Sequence, residues 1–294
     1  MLTMRLCTRL AAVWLLCSVA LLTAQQPALA PSERIADGVG LYRLDDPALL
    51  SPPGRVAVQA LRLDPRKVTL EIRRGGGAEP AREAVDAIAA RRPGAIAAVN
   101  GGFFSLETGN PTAFLKIAGR VVRGTSRPRG AVGIIDEGGV TTLLFDRVTV
   151  ATREGRPEYQ TRLGSSHKDW SRARHAISGA GLLMLNGREL PEWHEEQLSA
   201  RFDTTRHPRT LIGVDAQNAI WLVTIDGRNP SLSLGMSFTE LQRLSRRLGL
   251  RSALNLDGGG STTMAVTGRI VNHPSDPGGA RKVSDAILVV PRRR

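Results

Sequence analysis

Short apolar segments recur along this chain, and only two stretches place their apolar residues at helical spacing. Arg55–Leu63 alternates Val56, Val58 and Ala60 with other residues, and Val68–Ile72 alternates again, which is the period of a strand. Ala95–Val99 is a continuous apolar run that suits a buried strand. The same reading places strands at Phe114–Ile117, Ala131–Ile135, Thr141–Phe145, Leu182–Leu185, Leu211–Val214, Ile220–Ile225, Thr262–Val266 and Ala286–Val290. Pro80–Arg92 reads as a helix with proline in its first turn. Ser237 and Glu240 form a capping box ahead of Leu241, Leu244 and Leu248, predicting a second helix over 238–249 that Gly249 ends. Residues 151–177 are polar and without clear period, and are expected as an insertion over a site. Many strands with few helices predict an α+β fold, mixed or antiparallel, in a single domain. No internal repeat occurs.

Composition narrows the function classes. Of the 294 residues, 41% are hydrophobic and 23% charged, which excludes wholesale disorder, collagen and coiled coil. Forty basic residues against 27 acids give a net charge of +13. Thirty-six of the forty are arginine, a skew that genome base composition also produces. Residues 1–30 have the form of an export signal: Arg5 and Arg9, an apolar run from Leu10 to Leu22, and Ala28-Leu29-Ala30 as the cleavage site. The apolar run falls short of the ~20 residues that span a bilayer. Cleavage after Ala30 removes both cysteines, Cys7 and Cys17, and leaves no other membrane-length segment. The expectation is a periplasmic or secreted protein with no stable membrane insertion and no thiol chemistry.

Two segments end a strand abruptly in glycines beside a polar residue. They are Ala97-Ala98-Val99-Asn100-Gly101-Gly102-Phe103-Phe104 and Leu254-Asn255-Leu256-Asp257-Gly258-Gly259-Gly260-Ser261-Thr262-Thr263. Glycine lets backbone turn sharply and approach a ligand closely, and free N–H groups there can hold an anion. Either segment alone also fits an ordinary hairpin turn. Arg209-Thr210 opens a strand and Asp226-Gly227-Arg228 closes the next. Asn100, Arg209, Asp226, Arg228 and Asp257 thus supply an amide, two guanidiniums and two carboxylates at strand ends. Arginine's fork of donors matches phosphate.

With these pieces in view, residues 95–290 resemble the phosphodiester glycosidase family, which includes the enzyme that uncovers mannose 6-phosphate by removing N-acetylglucosamine. The resemblance rests on Asn100-Gly101-Gly102-Phe103-Phe104, Gly179–Gly187, Pro208-Arg209-Thr210 with Gly213, Asp226-Gly227-Arg228 and Asn255-Leu256-Asp257-Gly258-Gly259-Gly260-Ser261-Thr262. It continues through Asn272-His273-Pro274-Ser275 and Arg281. The chain departs from the pattern at His273, where the family often has arginine, and at Ala280, where an acid is frequent. The resemblance makes 95–294 the catalytic region and 31–94 an N-terminal strand-rich part of the same domain. It implies hydrolysis of a sugar-1-phosphodiester. A carboxylate beside C1 stabilises the positive charge that develops there or attacks as nucleophile, and a phosphate leaving group calls for guanidinium more than for a proton donor. Asp257 is then the base or nucleophile at C1, Asp226 the second carboxylate, and Arg209 and Arg281 the phosphate ligands, with Arg228 in support. Asn100 joins the two aspartates in the catalytic set; Asn100 and Ser261 bind hydroxyls or phosphate oxygens, and Thr210, Thr262, Gly101, Gly258 and Gly259 are further substrate-binding positions.

Other chemistries find less support. His167, His175, His194 and His207 have no metal-ligand spacing, and no Gly-x-Ser-x-Gly element occurs. No cofactor is called for. Scattered aspartates leave room for a structural divalent cation, although no calcium loop is present. Trp170, Trp193 and Trp221 are candidates for sugar stacking, with core packing favoured for Trp221. No aromatic-basic stripe marks a nucleic-acid binder. The competing class is a non-catalytic envelope protein that binds polysaccharide or assists exopolysaccharide assembly.

Overall fold

The apolar run Ile220–Ile225 is buried throughout because its strand separates two cores. In the computed structural model, which describes residues 29–77, 81–191 and 193–292, Ile220 and Leu222 point into a central core while Trp221, Val223 and Ile225 point into a second. Period-two alternation serves both faces here, so both are buried and five of the six side chains are apolar.

That strand lies within an eight-stranded sheet. In spatial order the sheet runs 33–36, 39–44, 58–63, 220–225, 209–215, 250–255, 182–185 and 188–189. A six-stranded sheet orders 156–161, 140–153, 125–137, 175–178, 115–117 and 120–123, and a five-stranded sheet orders 269–270, 264–266, 97–100, 285–291 and 68–74. All the pairings are antiparallel. The three sheets share one central core, to which they contribute Leu222, Ile134 and Ile287 among others. A helix covers the outer face of each. Helix α1 (Val85–Ala90) packs Ile88 against Ala98 and Leu288, α2 (His167–Arg172) sets Trp170 against Val148 and Val150, and α3 (Phe238–Arg247) lays Leu241 and Leu244 on Val223 and Ala253. The architecture is the expected α+β fold, and 31–94 gives strands to two of the sheets.

Several boundaries differ from expectation for physical reasons. Ser237 and Glu240 close the capping box of α3, and Gly249, at φ +71°, follows its end. Helix α1 begins only at Val85, because Glu83 still pairs with Val283 in an extended bridge; Pro80 lies outside the described residues. Residues 151–177 are woven into the six-stranded sheet rather than laid over the site. Arg156–Thr161 is an edge strand that buries only Tyr159, so it carries no apolar alternation. Helix α2 opens on a Ser166/Asp169 capping box, a signal readable in sequence. Residues 1–28, most of the expected signal, lie outside the described residues. Among the described residues no helix is long and apolar enough to cross a membrane.

Candidate active site at the glycine turns

Five strand ends from two sheets meet at the glycine-rich segments. Asn100 ends its strand with a fully buried side chain. Its Nδ2 donates to the Asp257 carbonyl at 2.8 Å, and its Oδ1 accepts from Thr210 Oγ1 at 2.7 Å and Thr263 N at 3.1 Å. Gly101 donates its N–H to the Asp285 carbonyl at 2.9 Å and accepts from Asp257 N at 3.2 Å. A Cβ on Gly101 would collide with Asp285 Oδ1, which instead accepts from Gly102 N at 3.0 Å. Glycine is required there for close approach. Pro208 completes the junction: its carbonyl accepts from Gly259 N at 2.8 Å, and its backbone packs against both Gly227 and Gly258. The segments at 100, 209, 226 and 257 therefore occupy one place.

The expected site residues separate into an outer and an inner layer. Asp257, Gly258, Gly259 and Arg281 are partly exposed, and Arg228 is exposed. Arg228 has φ +62°, a costly conformation for a side-chain-bearing residue, and its guanidinium lies over Gly259. It makes no hydrogen bond or ion pair with the described residues. Arg281 grips Asp276 by two bonds of 2.8 and 3.0 Å, and this pair packs so tightly on Gly260 that a Cβ would strike it. Both guanidiniums thus stand at the turn that carries Asp257.

The inner layer corrects several expected roles. Asn100 and Thr210 bind each other and the turns, so they hold the site rather than face a ligand. Asp226 is 1% exposed, and its carboxylate accepts from Asn272 Nδ2, His273 N and Gln59 Nε2. It also meets His273 Nδ1 at 3.2 Å, while that imidazole stays largely exposed. Asp226 anchors the 272–273 segment and is not a second carboxylate facing sugar. Arg209 is not a phosphate fork. Its Nε donates to Met236 O at 2.9 Å, one terminal nitrogen donates to Phe202 O and Thr205 O, and the rings of Phe202 and Phe238 lie 4.8 Å from the guanidinium carbon. Burial pushes its pKa down to about 9, against the pull of Asp203. Ser261 and Thr262 are buried, with hydroxyls that have no protein partner at hydrogen-bonding geometry. Trp170, Trp193 and Trp221 are all core residues, so none offers a sugar platform.

One buried carboxylate at the site escaped the sequence reading. Asp285 opens the strand Asp285–Pro291 and is 1% exposed. Burial raises its pKa to about 6, opposed by the Gly102 N–H, the Ser284 hydroxyl and the charge of Arg74. Asp257 is likewise raised to about 6, first by burial of its carboxyl. The Ser261 hydroxyl, the Gly258 N–H and Arg281 pull it down, and the charge of Asp285 pushes it up. Ser261 and Ser284 act on these carboxylates from beyond strict hydrogen-bond geometry. Two carboxylates with raised pKa on either side of one glycine form the acidic centre of the site. The readable signal was a lone acid heading an otherwise apolar strand.

Among the described residues no group of three or more His, Cys, Asp or Glu side chains is arranged to hold a metal ion, so the divalent cation left open by the sequence finds no cluster here. A cleft of about 660 Å³ adjoins the turns at Phe103 and Gly179. Hollows of about 770 and 900 Å³ lie elsewhere, around Thr141–Phe145 and around Arg73–Arg92, and touch none of the glycine turns.

The sequence profile of the phosphodiester glycosidase family matches residues 93–290, which include every strand end of this site. The chain belongs to the phosphodiester glycosidase family. Among its relatives, the N-acetylglucosamine-1-phosphodiester alpha-N-acetylglucosaminidase of Bos taurus is 29% identical over 205 residues, which is 68% of this chain and 37% of that protein. The Mus musculus enzyme of the same name is 27% identical over 212 residues, or 69% and 37% of the two chains. The chain therefore spans less than two fifths of these relatives. The zebrafish catalytic domain of that enzyme, auto-inhibited by its pro-peptide, superposes with a TM-score of 0.66 at 20% identity, covering 90% of this chain and 87% of that one. A hypothetical protein from Synechocystis gives 0.68 at 19% identity over 87% and 63%. These similarities establish the shared fold. Of the expected set, Asp257, Gly258, Gly259, Arg228 and Arg281 are the members at least partly exposed at these turns.

Proposed function

We propose that this protein is an exported hydrolase that cleaves a sugar-1-phosphodiester within a glycan or cell-surface polymer. The observation that carries this reading is the glycine turn that holds the Asp257 carboxylate, with the guanidinium of Arg228 over Gly259 and that of Arg281 against Gly260. Cleavage breaks the bond between C1 and the phosphate oxygen. Water adds its hydroxyl to C1, its other proton is released, and the phosphate leaves as a monoester. Asp257, ionised, stabilises the oxocarbenium-like charge or attacks C1. Arg228 neutralises the second charge that appears on the leaving phosphate. Asp285, behind Gly101, biases the protonation of Asp257 through its own charge. Export rests on the N-terminal sequence pattern, and the phosphodiester substrate on the family and on the activity named for its relatives.

Incubation with N-acetylglucosamine-1-phosphodiesters in ¹⁸O-water tests the reading. Phosphate released without label supports scission at C1. Label in the phosphate means phosphorus–oxygen scission and removes the glycosidase assignment. Binding of the same compounds without turnover would favour the polysaccharide-binding alternative.

A further inference from the structure

The cleft beside the glycine turns carries charge that the reaction centre does not use. Arg123, Arg127 and Arg129 line one wall, and Phe103 and Phe202 line another. None of the three guanidiniums makes a hydrogen bond or ion pair with the described residues. Other guanidiniums of this arginine-rich chain that are partly buried do have an acid beside them: Arg62 has Asp215, Arg92 has Glu71, Arg147 has Glu196 and Arg206 has Glu240. The acid that acts on Arg129 is Glu196, but Glu196 is fully buried. Its carboxylate already accepts from Gly130 N, Gly181 N, Leu182 N and Arg147 Nε. Arg127 and Arg129 lie close enough to repel, and burial adds to the strain on the Arg129 charge. Like charges gathered in a partly desolvated cleft are stabilised by an anion.

Shape and position narrow the ligand. Phe103 directly follows the Gly101–Gly102 turn, and Phe202 packs on Arg209, so the cleft opens where the site ends. The two rings stand edge to face at 6.0 Å and remain partly exposed, presenting an apolar strip rather than parallel faces for base stacking. The wall from Arg123 to Ser126 also borders a second hollow of about 590 Å³, which gives the groove length for a chain rather than one sugar.

The geometry points to this cleft as a binding site for the phosphate-bearing glycan chain beyond the scissile bond. Arg123, Arg127 and Arg129 take phosphate oxygens, and Phe103 and Phe202 take sugar faces. The inference rests on the glycosidase reading for what the chain is, but its test requires no turnover. Binding of the full-length protein to a yeast phosphomannan and to the same mannan after dephosphorylation is measured by calorimetry, with duplex DNA as a third polyanion. The phosphorylated mannan is expected to bind at least tenfold more tightly than the other two. Arg127→Glu should remove that preference. Arg251→Glu makes the same change of charge at the opposite end of the strand Leu250–Asn255 and should keep it, both variants melting as the parent does. Equal loss in the two variants, equal binding of the two mannans, or equally tight DNA binding overturns the proposal. A protein that binds phosphomannan through Arg127 but hydrolyses no sugar-1-phosphodiester would keep the cleft and lose the glycosidase reading. One that hydrolyses small diesters but ignores phosphomannan would do the reverse.

Discussion

The Asn100 side chain donates to the main-chain carbonyl of Asp257 at 2.8 Å, across 157 residues of chain. This bond joins the five-stranded sheet to the turn that follows the strand Leu250–Asn255 of the eight-stranded sheet. With Thr210 and Thr263 on its other end, the Asn100 amide sets where the Asp257 carboxylate stands.

Asn100→Ala should therefore damage both stability and activity. It leaves three buried partners unsatisfied, at about 1–3 kcal/mol for each lost buried partner that cannot relax to water. Thermal denaturation should show a clear fall in Tm, with kcat reduced in whatever fraction remains folded. An unchanged Tm would mean that the turns hold their places without this amide.

Asp257→Asn should keep the fold and stop the reaction. Loss of a carboxylate acting at the reacting carbon is expected to cost about 10²–10⁴ in kcat. The parent's kcat/KM should rise with pH towards a plateau above about 6, following ionisation of Asp257. Full activity in the variant would take Asp257 out of the reaction.

Asp285 should make the protein less stable as pH rises. Its folded pKa of about 6 lies above the unfolded carboxylate value, so the native state holds the proton more tightly. Stability is then fully present below about pH 4 and lost between about pH 4 and 6, by at most about 3 kcal/mol from this group. Asp285→Asn should raise Tm at pH 8 and flatten this dependence, as calorimetry across pH would reveal. A variant less stable than the parent at pH 8 would contradict the stated sign.

The two arginines should respond differently. Arg228→Ala breaks no hydrogen bond or ion pair with the described residues, so Tm should hold while kcat/KM for phosphodiesters falls about tenfold or more, the worth of a charge-assisted hydrogen bond. Arg209→Lys removes the plane that packs against the Phe202 and Phe238 rings and should lower Tm first. Steady-state kinetics beside melting curves separates these outcomes. A KM effect from Arg209→Lys at unchanged Tm would restore it to the phosphate site.

Much of the fold was legible where one physical cause dominated. Ile220–Ile225 announces a buried strand by being apolar at every position but Thr224, and Ser237 with Glu240 announces α3 by its capping chemistry. Arg156–Thr161 was illegible because an edge strand needs only backbone pairing. In the site, the glycine turns were readable because Gly101 admits no side chain beside Asp285. The roles of Asp226 and Arg209 were not, since a carboxylate or guanidinium looks the same in sequence whether it faces solvent or four protein partners.

The sequence by itself determined the strand-rich α+β class, the family and the set of turns that converge. Local periodicity and backbone permissiveness are properties of neighbouring residues, and they survive without knowledge of the fold. Tertiary structure alone decided which charged groups face outward. It turned Asp226 and Arg209 inward as supports, left Asp257 and Arg228 at the surface, and brought Asp285 to the far side of Gly101. Burial and charge proximity set those roles, and both depend on distances between residues that the chain order does not contain.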